Sequence, residues 1–308
     1  MSDYPLVTLT VINSNGKEWL GDCLSSIVMT DYPNLDIIVI DNASRDGSVQ
    51  FIKDNFSSVE VIENRRNIGF CKAANMGFNI AIERASEYVI LSNPDIKVAS
   101  DWMNELVKVA EEDKNIGILM PLHQNYSGDK VDPNLSNILT SNVEYIKDRD
   151  AGNFREKYEV TSAIGGCMMI RTNIIEKVGY MDAIYFLSAE DTDLSRRMIF
   201  HGYKVVVVTK SKIMHWHRIL HKDKIDKRTG FLLFRNKFIF FLKDPNRSFL
   251  NNLQRYYFDK EAGALQMIKS WAPVSNLRYL ALAGYVQLWI FLHLPKIFIR
   301  YLKDKKRI

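Results

Sequence analysis

Cysteine is scarce in this chain: its 308 residues include three, Cys23, Cys71 and Cys167. They are odd in number, far apart and without a Cys-x-x-Cys spacing, which argues against a disulfide framework or a cysteine-built zinc site. This usage fits a reducing compartment, so a cytoplasmic location is expected. A Gly-x-Gly-x-x-Gly fingerprint and a Walker sequence are both missing, which leaves the usual dinucleotide and triphosphate readings without support. There is no internal repeat and no low-complexity tract. Residues 1–5 are short and polar and lead straight into a strand-like run, so no signal peptide is expected. Excess charge is also missing over most of the length. The net charge of +5 equals that of residues 296–308 alone, where Lys296, Arg300, Lys303, Lys305, Lys306 and Arg307 stand against Asp304. A nucleic-acid binder spreads its basic residues along a face. Here they follow an apolar stretch, so the expected partner is an anionic membrane surface and not nucleic acid.

What is present is ordinary globular composition, 47% hydrophobic and 25% charged, enough for a sizeable core and about two domains. Strand and helix patterns alternate through the first 120 residues. Strands are predicted at 6–12, 36–40, 59–62, 88–91 and 116–120. Helices are predicted at 17–29, 47–56, 71–84 and 101–113, the last capped by Ser100. Nearly continuous apolar strands between amphipathic helices imply βαβ units and a parallel sheet covered on both faces. Residues 121–160 are polar, with Asn125, Gly128, Pro133 and Gly152, and read as a loop-rich insertion over the sheet edge. Beyond them the pattern gives a strand ending at Arg171, a helix to 178, and a helix over 191–200 stopped by Gly202. A strand at 204–208 and a basic connection at 218–230 follow, and residues after 231 read as helix.

Ligands of open parallel sheets bind at the carboxyl ends of the strands, so the polar residues after each strand carry the interest. They are Asn13-Ser14-Asn15-Gly16, the 41–47 segment opening Asp41-Asn42-Ala43-Ser44, the 64–70 segment containing Asn67-Ile68-Gly69-Phe70, and Asn93-Pro94-Asp95. Each has two readings. Asp41 either caps a turn or accepts hydrogen bonds from a nucleotide. Asn93-Pro94-Asp95 either ends a strand or offers a carboxylate to a hard cation such as Mg²⁺ or Mn²⁺. Ser188-x-x-Asp191 fits a capping box, yet a carboxylate at a helix start is also a stabilised anion suited to act as a base. His215 and His217 would face one side of a strand, as paired ligands or as packed surface residues.

Taken in order, these segments closely resemble family 2 glycosyltransferases, and within them the rhamnosyltransferase-like subgroup. Asp41-Asn42-Ala43-Ser44 is similar to that family's nucleoside loop, and Asn67-Ile68-Gly69-Phe70 with Asn75 to its N-x-G-F…N turn. Asn93-Pro94-Asp95 stands where the metal-binding D-x-D usually stands. Gly165-Gly166 precedes the strand ending in Arg171. Glu190-Asp191-x-Asp193-Leu194 with Arg197 resembles the family's E-D-x-D-L…R helix start. His215 and Arg235-Asn236 also match, so the likeness covers roughly residues 6–245. It implies a GT-A fold: a Rossmann-like, mainly parallel sheet flanked by helices, with residues 1–245 as catalytic domain and 246–308 as a helical C-terminal region. It implies a nucleotide site of Asn13, Asp41, Asn42, Asn67, Asn75 and Asn93, and a metal held by Asp95 and His215. Asp191 would be the catalytic base with Glu190 beside it, and Asp193 structural. One departure is Ser14, where many members carry a tyrosine that stacks on the base; the identity of the base therefore stays open.

The resulting expectation is an inverting, metal-dependent transfer of a hexosyl unit from a nucleotide-sugar donor to a saccharide or lipid-linked acceptor, in cell-surface polysaccharide or glycolipid synthesis. Two alternatives stand beside it. A nucleotidyltransferase would need a basic loop near the N-terminus, where Lys17 alone is on offer. A non-catalytic nucleotide-sugar-binding module would not need both Asp95 and Asp191. Acceptor contacts are expected from residues 121–160 and 218–232. Residues 279–295 are 17 without a formal charge, interrupted by Gly284, Gln287 and His293. A span typically takes about 20, so an interfacial helix on the inner face of the cell membrane is expected. A packed or homodimer-forming helix and a true span are its rivals.

Overall fold

The computed structural model describes residues 4–216, 227–258 and 277–306. His217, most of the 218–230 connection and Arg307 lie outside the described residues. The first half of the chain builds parallel strands β1 (Val7–Asn13), β2 (Leu35–Asp41), β3 (Glu60–Glu63) and β4 (Tyr88–Ser92) in the order β3-β2-β1-β4. Between and after them run α1 (Lys17–Val28), α2 (Ser48–Asn55), α3 (Phe70–Glu83) and α4 (Trp102–Glu112). Side chains alternate across a strand. Val7, Leu9, Val11, Tyr88 and Ile90 therefore meet α1, α2 and α4 on one face, while Ile38, Ile40, Val89 and Leu91 meet α3 on the other. Both faces are covered, which is why these strands read as apolar runs. Helix α4 begins with Asp101 at its N-cap and no side-chain cap bond, so Ser100 is not the cap.

The chain beyond β4 makes the other side of the sheet mixed. It contributes β5 (Ile96–Val98), β6 (Ile116–Asn125), β7 (Lys157–Glu159), β8 (Cys167–Arg171) and β9 (Lys204–His215). Strand β8 inserts antiparallel between β4 and β6, β6 pairs parallel with β9, and β5 and β7 run antiparallel to β9. The nine-stranded sheet is thus parallel on one side and mixed on the other. Residues 121–160 are not loop-rich. Strand β6 continues to Asn125, and α5 (Pro133–Leu139) and α6 (Val143–Ala151) precede β7. Asp132 caps α5 by accepting the Asn134 and Leu135 amides, and Asn142 caps α6 through Glu144 and Tyr145. Proline at the first turn and a side-chain oxygen just before it are ordinary helix starts.

Helices α7 (Thr172–Val178), α8 (Glu190–Phe200), α9 (Lys227–Leu242), α10 (Phe249–Phe258) and α11 (Leu277–Lys306) complete the α3 face. Phe234, Phe238, Val286, Ile290 and Ile297 from the last helices share one core with the sheet. Each such side chain, fully buried, stabilises the fold by about 1.5–3 kcal/mol.

Candidate active site

The carboxyl ends of β1, β2 and β3 open on a cleft of about 670 Å³ lined by Ser14, Asn15, Asp41 to Arg45, and Glu63 to Asn67. Its floor is a closed polar network. Asn13 Nδ2 donates to Asp41 Oδ1 at 2.8 Å and to Ser44 Oγ at 3.1 Å. The Ser44 amide donates to Asp41 Oδ2 at 2.8 Å. Both Asp41 oxygens are therefore engaged, so the turn-capping reading of this residue is correct as far as it goes. Asn42 Oδ1 accepts the Ile68 amide at 3.1 Å and Asn64 Nδ2 at 3.3 Å, which joins the second loop to the third. Asn67 Nδ2 reaches Ser14 Oγ at 3.3 Å across the cleft mouth. Asn75 stands apart. Its amide makes a two-way pair with the Met181 backbone at 2.9 and 3.0 Å, which ties α3 to the segment before α8. Arg45, Arg65 and Arg66 line the cleft and carry charge suited to an anionic ligand. They stand among the post-strand residues, but a solvent-exposed arginine in a loop has no pattern that marks it.

Asp95 and His215 are brought together by strand pairing. β5 lies against the end of β9 with Ile96 opposite His215, and the Trp216 amide donates to the Asp95 carbonyl at 2.8 Å. Asp95 Oδ1 then lies 3.6 Å from His215 Nε2, while Asp132 Oδ2 lies 3.6 Å from Nδ1 on the other side of the ring. Burial opposes the charged imidazole, but Asp132 and Asp95 outweigh it and raise the His215 pKa to about 9. Burial, with His215 adding to it, lowers the pKa of neighbouring His123 to about 4, and the Cys167 carbonyl and Asp132 offset this only in part. Asp95 Oδ1 is shielded from solvent and takes no hydrogen bond among the described residues. A divalent cation, whose ligands are carboxylate, imidazole and oxygen donors, would fit between this oxygen and Nε2 by taking the place of the imidazolium proton. No cluster of three or more such side chains gathers among the described residues. The remaining ligands of an ion held here would therefore be phosphate and water oxygens, as is usual for Mg²⁺ at phosphate sites.

The carboxylate pair sits at the start of α8. The capping box does not form: Ala189 is the N-cap residue with φ 71° and no side-chain cap bond. Asp191 instead accepts the Gly165 amide on Oδ2 at 2.8 Å and its neighbour's amide, Thr192, on Oδ1 at 2.7 Å. Glu190 is buried, and its Oε2 takes no hydrogen bond among the described residues. Burial first, and the Asp191 charge second, raise the Glu190 pKa to about 8. Burial also raises Asp191, but the two amides pull it back toward the anion. Unequal hydrogen bonding of two neighbouring carboxyls is the kind of environment that lets one stay neutral while the other serves as a base.

Gly165-Gly166 explains itself in this geometry. A side chain on Gly165 would lie in ordinary contact with Asp191 Oδ2 at 3.4 Å, whereas one on Gly166 would press on the His215 ring at 3.1 Å. The Gly166 carbonyl also accepts the Asn93 amide at 2.9 Å. One dipeptide thus touches the carboxylate, the histidine and the Asn93 loop. The loop before α8 is strained. Phe186, Ser188 and Ala189 all have φ between 64° and 71°, a region that costs non-glycine residues energy and collects at functional sites. Arg235 and Asn236 hold it there. Asn236 Nδ2 donates to the carbonyls of Tyr185, Leu187 and Ser188 at 2.9, 2.6 and 2.9 Å, and Arg235 Nη2 donates to those of Ile184 and Tyr185.

Asp193 points away from this site into the core, where Tyr185 Oη, Arg197 Nε and Lys243 Nζ meet it at 2.8, 3.0 and 3.2 Å. Burial disfavours its charge, but Lys243, Arg197 and Arg196 more than reverse that and hold it far below the usual carboxylate range. Lys243, fully buried, also binds Asp182 at 2.7 Å and Asp304 of α11 at 3.0 Å. Arg197 donates to the carbonyls of Val178, Gly179 and Tyr180. These groups are structural.

Comparison with known proteins identifies the family and the fold. The profile of glycosyl transferase family 2 matches residues 7–179, and that of glycosyl transferase family group 2 matches 119–302. The N-acetylglucosaminyl-diphospho-decaprenol L-rhamnosyltransferase of Mycobacterium tuberculosis is 23% identical over 62% of this chain and 70% of its own length. The dTDP-rhamnosyl transferase RfbF of Shigella flexneri is 24% identical over 59% and 60%. An uncharacterized glycosyltransferase of Haemophilus influenzae is 21% identical over 67% of this chain, and the match spans 56% of that relative. Among solved structures, the mannosyltransferase PcManGT of Pyrobaculum calidifontis, in complex with GDP-Man and Mn²⁺, superposes with a TM-score of 0.60 at 16% identity. That match covers 99% of this chain and 89% of that one. GalNAc-T7 with UDP, GalNAc and Mn²⁺ gives a TM-score of 0.61 at 14% identity over 96% and 58%. With a GT-A fold and a family profile over more than half its length, the chain belongs to glycosyltransferase family 2, resembles its rhamnosyltransferases, and is a glycosyltransferase.

Proposed function

We propose that this transferase inverts the anomeric centre and works with a divalent metal, moving a sugar from a nucleotide-diphosphate donor to a hydroxyl of a saccharide or lipid-linked acceptor. The observation that carries the proposal is the Gly165-Gly166 contact, which sets the Asp191 carboxylate beside the His215–Asp95 pair. An inverting transfer needs a base on the acceptor and charge neutralisation at the leaving diphosphate, and no enzyme nucleophile. Asp191 takes the acceptor hydroxyl proton while that oxygen bonds to the anomeric carbon and the bond to the diphosphate oxygen breaks. Glu190, held neutral by burial, adds no second negative charge to compete for that proton. Asp95 and His215 would hold Mg²⁺ or Mn²⁺, which when bound neutralises charge on the diphosphate. Asn13, Asp41 and Asn42 shape the nucleoside cleft, while Asn67 and the exposed Arg65 and Arg66 face it. Asn93 is fixed by its backbone between the cleft and Gly166.

The similar rhamnosyltransferases act, by their names, with dTDP-rhamnose or on a diphospho-decaprenol acceptor. This supports a role in assembling a cell-surface polysaccharide or glycolipid at the cytoplasmic face of the membrane. The test is a panel of nucleotide-sugars incubated with Mn²⁺, followed by NMR of the released or transferred sugar. One donor should be consumed, its sugar should appear with the opposite anomeric configuration, and EDTA should stop the reaction. Retained configuration, or unchanged turnover in excess EDTA, contradicts the proposal.

A further inference from the structure

Helix α11 carries its polarity the wrong way round for a surface helix of a soluble domain. Ala283, Val286, Ile290, Ile297, Tyr301 and Asp304 recur at helical steps and are buried against the body. The stripe on the opposite side is apolar too. Tyr285, Leu288, Phe291, Leu292 and Ile299 are each 54–66% exposed, and Leu302 continues the row. An amphipathic surface helix ordinarily turns its polar side outward. A contiguous exposed apolar strip of this kind marks an interaction site.

The charge on the helix selects the partner. Lys296, Lys303, Lys305 and Lys306 lie in or next to the exposed end, and all are exposed. The one acidic residue of the helix, Asp304, is turned inward to Lys243. A second copy of this helix would therefore offer no carboxylate to these lysines, whereas an anionic lipid surface offers both hydrocarbon and negative charge. The stretch Ala281–Lys306 is long and apolar enough to cross a membrane by length and composition. Its inner side, however, is fastened to the body near its middle and at its C-terminal end. Tyr256 Oη donates to the Gln287 side chain, Arg300 pairs with Asp182, Tyr301 Oη donates to the Arg247 carbonyl at 2.7 Å, and His201 meets the Asp304 carbonyl at 2.9 Å. Crossing the bilayer would expose the buried Asp304 and Arg300 contacts to hydrocarbon, which is costly for charged groups.

We propose that the outer face of α11 is a docking surface for an anionic lipid bilayer, on which the helix lies flat while its inner face stays bound to the catalytic body. This deepens the membrane-side placement proposed above, and it depends on none of the chemistry at Asp191. Apolar burial and basic attraction together are the two signals that stable peripheral binding needs.

The test is cosedimentation of the full chain with vesicles of phosphatidylglycerol and phosphatidylcholine, against phosphatidylcholine alone. The wild type should pellet with the anionic vesicles and be partly released by high salt. The combined Leu288→Ser, Phe291→Ser and Leu292→Ser variant changes exposed positions only. Its partition should fall by about tenfold or more, while its hydrolysis of nucleotide-sugar stays at the wild-type rate. Lys303→Glu with Lys306→Glu should weaken binding and remove most of its salt dependence. Equal binding to neutral vesicles, unchanged binding by the triple serine variant, resistance to an alkaline carbonate wash, or a solution dimer that the triple variant dissolves would each overturn the proposal. Loss of donor hydrolysis by wild type that still binds vesicles would count against the transferase mechanism and leave this surface standing.

Discussion

Glu190 and Asp191 are neighbours in sequence and burial raises both, yet their hydrogen bonding differs. Gly165 and Thr192 donate amides to Asp191, and Glu190 Oε2 receives none among the described residues. This difference has a consequence for stability. The Glu190 pKa rises on folding from 4.5 to about 8, so the folded state holds the proton more tightly than the unfolded one. Ionisation of Glu190 therefore opposes folding progressively as pH rises between those values. Glu190→Gln removes that penalty. The variant should match the wild type near pH 4, gain on it as pH rises, and level off above about pH 8. Urea denaturation at a series of pH values reads this, and a pH-independent offset would contradict it. At Asp95, replacement by Ala removes the carboxylate next to His215 Nε2. Calorimetry with nucleoside diphosphate should show binding that Mn²⁺ no longer strengthens, and an unchanged Mn²⁺ effect would remove Asp95 from the metal site.

At the scale of elements, the parallel strands and helices of the first 120 residues are legible because each buries one periodic face or lies wholly inside. β5 is only three residues long, and β9 bends through a register shift after Val208, so neither shows its full extent as an apolar run. The signals for α5 and α6 were there, an Asp-Pro start and an Asn cap, but the polar composition around them masked the helices. The loop before α8 was not legible at all. Its left-handed residues are Phe186, Ser188 and Ala189, none of which advertises that conformation, and the group that enforces it, Asn236, is about 50 residues away. Asn236→Asp tests the clamp. The change is nearly isosteric, but it replaces the donor that faces three carbonyls with an acceptor. Lost buried hydrogen bonds of this kind cost about 1–3 kcal/mol. Turnover should fall sharply with the thermal midpoint lowered modestly. Wild-type turnover would show that the strained loop does not orient Glu190 and Asp191.

For the molecule as a whole, the two halves of the sheet divide the work. The parallel half builds the cleft proposed to take the nucleoside, and the mixed half carries His215 and, through the Gly165 amide, holds the start of α8. What joins the C-terminal helices to that frame is a buried charge cluster of Lys243 with Asp182, Asp193 and Asp304, drawn from four separate stretches of chain. No local pattern reveals such a cluster; of its members only Asp193 is singled out in the sequence, as structural by the family resemblance. Lys243→Ala would leave three buried carboxylates without their shared cation and should cost about 3–5 kcal/mol in urea denaturation. A loss within experimental error would mean that this charge cluster does not hold the C-terminal helices. The central claim is that the halves separate binding from chemistry, and Asp191→Asn tests it most directly. Nucleoside diphosphate release should be measured at saturating donor and acceptor, with donor KM determined alongside. The account predicts turnover reduced by roughly 10²–10⁴-fold with KM for the donor little changed. Near-wild-type turnover, or a collapse of donor binding in place of turnover, would contradict it.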